Sequence, residues 1–223
     1  MLDYQEISLN ICILTTLYTI VHYFPYLKNY SNDIRFSIYR SLMCITFTFM
    51  GANILLTHYE KGSLHPFSYK HVDMIEGYNL FLTYLIVDII NMIATKAHRF
   101  DLYIHHCMCI IGLLISNYTN RFGYIQSIIL ICEALSIVSG IDSMAMNDND
   151  NKLSYYCKKI RKYVIKYIRY PIWTTALLST VYFINKLPKL LSIDLIASCI
   201  IMLYMDKYWK KKCEKVIEKY EKS

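Results

Sequence analysis

Charged residues are scarce in this sequence of 223 residues, where Asp, Glu, Lys and Arg make up 18% and hydrophobic residues 55%. The apolar residues are gathered into long uncharged runs, which excludes an ordinary soluble globular domain. One bilayer crossing takes about 20 apolar residues at a rise of 1.5 Å each. The chain therefore has room for six or seven spanning helices with short connections, and for no large soluble domain.

The features of several other protein classes are also lacking. No repeat, Gly/Ser linker or heptad array is present. The N-terminus carries Asp3 and Glu6 where a signal peptide has basic residues, and the apolar run 7–27 is too long for a signal-peptide core, so we expect a retained first span. Six of the eight cysteines lie inside apolar runs, which favours small hydrophobic residues over a disulfide framework.

Positive charge is concentrated in two blocks. The formal net charge is +7, and 14 of the 24 Lys and Arg residues lie in segments 152–169 and 207–222. Basic blocks beside apolar runs are typical of cytoplasmic membrane anchors. We therefore expect no nucleic-acid partner.

Seven apolar runs are candidate spans: 7–27, 36–57, 77–95, 102–118, 124–141, 172–185 and 190–205. Seven crossings put 19 Lys and Arg residues on the side that holds the C-terminus and five on the other. If the last two runs made no net crossing, the counts would be 12 and 10, with Lys186 and Lys189 left out as membrane-embedded. Because cytoplasmic loops carry the excess of positive charge, we favour seven spans with a lumenal or external N-terminus and a cytosolic C-terminus.

The predicted fold is accordingly an all-α membrane protein, a bundle of about seven transmembrane helices. We divide it into a first span and loop (1–35), a helical bundle (36–206) and a basic cytosolic tail (207–223). The Tyr- and Lys-rich segment 153–170 is either an interfacial helix or a solvated loop.

Seven Asp, Glu, His, Lys or Arg residues lie inside the apolar runs. His22 and Asp194 lie near the ends of the first and last runs, where reaching the interface is cheap, so we set them aside. The other five are Arg40, Asp88, His105, His106 and Glu133. Such groups are costly in a bilayer, so they usually face the bundle interior and pair with one another. With the topology above, they fall about 5 to 13 Å inside the cytosolic edge at 1.5 Å per residue. The sequence therefore predicts a buried polar pocket open to the cytosol.

The adjacent histidines point about 100° apart on a helix, so we expect one to be reactive and the other supporting. Asp101 lies four residues before His105, where its carboxylate can hold one ring nitrogen and leave the other as a general base. Alternatively, His105 and His106 are interfacial residues that satisfy backbone groups near a helix end.

A metal site is not expected in this stretch. Cys107 and Cys109 follow the histidines but point to diverging helix faces, and no second ligand pair with zinc-finger spacing follows. Seven histidines are too few for the repeated clusters of a di-iron desaturase. We predict neither a metal nor a cofactor.

The ordered set of intramembrane residues resembles the TLC domain family, which includes ceramide synthases, translocon-associated membrane proteins and smaller lipid-homeostasis proteins. The resemblance covers about residues 40–205. It is carried by Arg40 at the start of the second span, Asp88 in YLIVDIINMI, the HH pair after RFDLYI, the run EALS at 133–136, and SNYTNRFG at 116–123.

One departure separates the chain from ceramide synthases. Those enzymes carry a further Asp in the span after the His pair, where this sequence reads CEALS at 132–136 and keeps one carboxylate. The resemblance is therefore closer to the small TLC proteins. It implies an endoplasmic reticulum protein of sphingolipid-type homeostasis that binds or senses a lipid in the pocket.

The alternative that the resemblance implies is an acyl-CoA-dependent lipid N-acyltransferase. In it, His105 or His106 would be the general base, Glu133 or Asp88 would orient it, and Arg40 would attract the phosphates of acyl-CoA, a substrate rather than a cofactor. A third alternative is a structural role, such as guiding nascent chains or shaping the membrane. The expected partners are membrane lipids, and the sequence is compatible with a homo- or hetero-oligomer.

Overall fold

The computed structural model describes residues 4–60, 65, 67, 75–94, 99–121 and 124–222. It is 90% helical and contains no strand within these residues. The all-α prediction is confirmed.

Nine α-helices follow one another in the described residues: α1 (Tyr4–Tyr23), α2 (Asn32–Glu60), α3 (Ile75–Ala94), α4 (Phe100–Thr119), α5 (Tyr124–Ile131), α6 (Ser139–Asn147), α7 (Asn151–Val164), α8 (Tyr170–Tyr182) and α9 (Lys189–Glu221). A 3-10 turn, Cys132–Ser136, lies between α5 and α6. A π-helical turn, Ile165–Arg169, joins α7 directly to α8.

Four helical stretches of the described residues are long and apolar enough to cross a membrane: Asn32–Glu60, Gly77–Ala94, Phe100–Thr119 and Ser127–Asn147. This is fewer than the seven predicted. In α1, Gln5, Glu6 and Asn10 lower the mean hydropathy. The 13 residues of α8 are short for a span of about 20. The apolar part of α9 is interrupted by Asp194 and Asp206.

Two contacts define one end of the bundle, which we call the polar end. The Tyr30 hydroxyl, before α2, donates a 2.6 Å hydrogen bond to Asp148 Oδ2, after α6. This bond lowers the pKa of the Asp148 carboxyl and raises the pKa of Tyr30 from their usual values. The Trp209 indole of α9 donates to Asp101 Oδ2, in the first turn of α4, at 2.8 Å. The start of α2, the start of α4, the end of α6 and the second half of α9 therefore meet there.

The opposite end, which we call the far end, is defined by aromatic contacts. The Phe183 ring, after α8, lies 5.0 Å from the ring of His65 and 6.1 Å from that of Phe67. Arg121, after α4, donates to the backbone oxygen of Phe67 at 3.3 Å. The chain thus runs back and forth between the two ends.

Two apolar clusters fill the bundle. The first joins α1 to α4 and contains the rings of Phe47 and Phe81, whose centroids are 4.8 Å apart. The second joins α5 to α9 around Trp173, Leu191 and Met202. Side chains of α4 pack against both clusters. As a result, α4 lies between the two halves of the bundle.

The segment 153–170 is helical, so it is not the solvated loop that was one of the two alternatives. Its outer face exposes large apolar side chains at helical spacing: Leu153, Tyr156, Ile160, Tyr163 and Tyr167.

The opposite face of α7 packs on α9. Tyr155 stacks on Tyr220 with ring centroids 4.5 Å apart. The basic segment 207–223 is for the most part the end of α9, which continues without interruption from the apolar part to Glu221.

Close packing of α2 on α5 depends on Gly51. A Cβ atom at this position would lie 2.5 Å from the backbone oxygen of Ser127 and 2.8 Å from Leu130 Cβ. Small residues permit such backbone approach between helices in a membrane.

We therefore expect Gly51→Ala to destabilise the protein by about 1–3 kcal/mol, because the extra methyl group has no space. The control is Gly112→Ala, whose Cβ would meet only Asp194 Oδ2 at 3.2 Å. Thermal unfolding of the detergent-solubilised proteins measures both. Equal melting temperatures for the two variants would contradict the α2–α5 packing.

Candidate functional site

A cavity of about 190 Å³ opens at the polar end of the bundle. We call it the polar pocket. Its lining draws on α2, α3, α4, α6, α7, α9 and both irregular turns. The ionisable residues of the lining are Arg40, Arg99, His105, His106, Glu133, Asp142, Lys158, Arg161 and Arg169.

Asp88 on α3 lies directly behind the polar pocket and has no exposed surface. Its Oδ1 accepts a 2.8 Å hydrogen bond from Arg40 Nε on α2. Its Oδ2 pairs with His106 Nε2 on α4. One carboxylate therefore ties together three helices and compensates the charge of Arg40.

His105 is paired with a different carboxylate. Its Nε2 lies 3.5 Å from Glu133 Oε1, in the 3-10 turn after α5. The Cys44 thiol donates to the other Glu133 oxygen at 3.7 Å, and Cys109 Sγ lies 3.8 Å from His105 Nδ1. Glu133 is thus held at the pocket wall by α2 and α4.

The two histidines point to different halves of the bundle. The His106 ring lies 6.4 Å from that of Tyr84, in the first apolar cluster. The His105 ring lies 6.2 Å from that of Trp209, in the second. The angle of about 100° between adjacent helix positions explains this divergence. Both rings nevertheless line the polar pocket, with centroids 5.3 Å apart.

Asp101 does not have the position that we expected for it. Instead of holding a His105 nitrogen, it accepts hydrogen bonds from Arg99, at 3.1 Å, and from Trp209 Nε1, at 2.8 Å. The reason is that α9 brings its indole N–H group over the first turn of α4. The ring of the same Trp209 lies 6.2 Å from the His105 ring.

A second buried ion pair was missed in the sequence. Arg169, which is 2% exposed, donates from Nε to both oxygens of Asp206, at 2.8 and 3.0 Å. Trp173 Nε1 donates to Asp206 Oδ2 at 3.0 Å, and Arg169 Nη1 donates to the Cys132 backbone oxygen at 2.7 Å. The sequence pattern places Arg169 in a basic anchor block. Asp206 and Trp209 are three residues apart and therefore share one helix face, and this spacing in the sequence could have indicated a buried polar group.

The π-helical turn places Arg169 inside the bundle. Pro171 follows it, and a proline ring crowds the carbonyl group four residues earlier. The Tyr170 N–H group bonds to the Ile165 oxygen, which is five residues back and not four as in an α-helix. Such widened turns often occur at functional sites.

Asp142 on α6 forms the remaining part of the pocket wall. It accepts a 2.9 Å hydrogen bond from the Ser154 hydroxyl and pairs with Lys158, both on α7. Arg161 Nη1 lies 3.6 Å from the same carboxylate. The negative charge of Asp142 is thus shared by Lys158 and Arg161.

The chemistry available to the polar pocket centres on His106. Its Nε2 is held by Asp88, while its Nδ1 is buried and has no hydrogen-bond partner among the described residues. An imidazole held on one nitrogen by a carboxylate can accept a proton at the other. Within the same part of the chain, no three His, Cys, Asp or Glu residues are arranged to hold a metal ion.

Comparisons of the chain with protein-family models, with curated proteins and with solved structures find no match. The resemblance to the TLC domain family therefore stays a prediction from the residues quoted above.

We expect Asp88→Asn to destabilise the protein by about 3–5 kcal/mol, since removing one partner leaves the charge of Arg40 buried and uncompensated. Asp33→Asn is the control, because Asp33 is exposed in the first turn of α2 and its loss should cost less than about 1 kcal/mol. Thermal unfolding in detergent micelles measures the difference. Indistinguishable stabilities would mean that Asp88 does not hold the bundle together.

Proposed function

We propose that this chain is a multi-pass membrane protein of lipid homeostasis, related to the small TLC domain proteins, which binds a lipid headgroup in the polar pocket. The supporting observation is that two histidines, each with its own buried carboxylate, line one cavity at one end of the bundle. Fixed polar groups in an otherwise apolar bundle are the means by which a headgroup is oriented.

The proposal includes seven crossings, with the polar end in the cytosol of an endoplasmic reticulum protein. It is supported by the alternation of helix ends between the polar end and the far end. It is also supported by the 19 Lys and Arg residues that this arrangement assigns to the cytosolic side. The choice of the endoplasmic reticulum depends on the family resemblance.

We predict that a reporter fused after Ser223 is cytosolic and that an N-terminal tag is lumenal, because the basic residues concentrate at the end where α9 finishes. Protease protection of sealed microsomes measures both tags. Detection of the two tags on the same side would leave an even number of crossings and contradict the proposed topology.

A second candidate function is acyl-CoA-dependent lipid N-acylation, and the free Nδ1 of His106 favours it. In this reaction the nitrogen of a lipid amine attacks the thioester carbonyl, and His106 accepts the proton of that amine. The new C–N bond forms, the C–S bond breaks, and the proton passes to the leaving thiolate. Asp88 would stabilise the imidazolium that forms in between.

The variants His105→Gln and His106→Gln distinguish the two functions. For headgroup binding alone, each variant should reduce the amount of co-purifying lipid, because the histidine rings themselves orient the headgroup. For acyl transfer, His106→Gln should keep lipid but lower product formation from labelled acyl-CoA and a sphingoid base by roughly 10²–10⁴-fold.

His65→Gln, at the far end, is the matched control and should behave as wild type in both assays. Normal lipid retention and normal product formation in both single variants and in the double variant would refute the assignment of the pocket.

A further inference from the structure

Five cationic side chains line the polar pocket: Arg40, Arg99, Lys158, Arg161 and Arg169. Their carboxylate partners Asp88, Asp101 and Asp206 do not belong to the lining, since they pair with the arginines from behind. Asp142 and Glu133 do line the pocket, but Asp142 is shared by two cations and Glu133 is paired with His105. The pocket wall therefore presents mainly positively charged hydrogen-bond donors.

Three of these arginines hold buried nitrogen atoms that lack an acceptor. Among the described residues, Arg40 Nη2, Arg161 Nε and Arg169 Nη2 have no hydrogen-bond partner. An unsatisfied buried donor is unfavourable, and more so when it is charged. The three residues that carry these donors, from α2, α7 and the π-helical turn, line the same cavity.

The missing acceptors have the chemistry of a phosphate group. A guanidinium carries five N–H donors in a planar fork, and in Arg40 and Arg169 a carboxylate occupies only part of it. A phosphate monoester carries close to two negative charges at neutral pH and three strong acceptor oxygens. A neutral hydroxyl headgroup would leave most of the arginine donors unsatisfied.

We propose that the ligand of the polar pocket carries a phosphate monoester, held by Arg40, Arg161 and Arg169. This inference rests on the proposed function, in which the pocket receives a membrane lipid or an acyl-CoA. Two sources share the chemistry: the headgroup of a phosphatidate-type lipid and the 3′-phosphate of coenzyme A.

The experiment uses the full chain in detergent and two lipids with the same acyl chains. Dioctanoyl phosphatidate should bind at least tenfold more tightly than dioctanoylglycerol, since only the former supplies acceptors to the arginines. Competition by coenzyme A and by dephospho-coenzyme A, which lacks the 3′-phosphate, then distinguishes the two sources. If coenzyme A displaces phosphatidate and dephospho-coenzyme A does not, the site is supported and coenzyme A is a source of the phosphate. If neither compound displaces phosphatidate, the lipid headgroup is the source.

Arg161→Gln tests the site itself without touching the His–carboxylate pairs. It should weaken phosphatidate binding by roughly 10- to 100-fold, the loss expected for hydrogen bonds to a charged group. Lys162→Gln is the matched control, because the neighbouring Lys162 does not line the pocket and pairs with Glu214 at 3.3 Å. Thermal unfolding verifies that both variants are folded.

The outcomes separate this inference from the function on which it rests. Equal affinities for the two lipids, or phosphatidate binding by folded Arg161→Gln that equals wild type, would overturn the phosphate assignment and leave lipid binding intact. Binding of neither lipid and of neither coenzyme would overturn the proposed function as well.

Discussion

The carboxylate of Asp88 is the interaction on which the polar pocket depends. It is fully buried, and it holds Arg40 and His106 from two other helices. A charge in an apolar bundle is tolerated only when it is paired and hydrogen-bonded. Because this requirement fixes α2, α3 and α4 together, it also sets the position of the adjacent His105 and of the pocket wall.

A second charge pair does the same for the other half of the bundle. Arg169 and Asp206 join the π-helical turn to α9, and the Trp173 indole completes the set. The two networks approach each other at α4, where neighbouring histidines point to opposite sides. The polar pocket therefore lies where the two halves meet, and the buried carboxylates Asp88 and Asp206 lie behind its walls.

The basic residues at the polar end have two consistent roles. As a group, they support the proposal that this end lies in the cytosol, since cytoplasmic loops carry an excess of positive charge. Individually, Arg161 and Arg169 are part of the pocket lining, and Asp142 compensates Arg161 only in part. Basic residues at this end would therefore serve two purposes. They would orient the protein in the membrane and attract an anion at the membrane surface.

The apolar runs by themselves determined the helical class. Arg40, Asp88, His105, His106 and Glu133 could be grouped at one end because the order of the spans and the rise of 1.5 Å per residue give the depth of each residue. Tertiary structure decided the pairing. Spacing along one helix suggested Asp101 for His105, yet Glu133 and Asp88 hold the histidines, and Arg169 meets Asp206 across 37 positions. Local spacing fixes which residues share a helix face, whereas the identity of the facing residue depends on how distant helices pack.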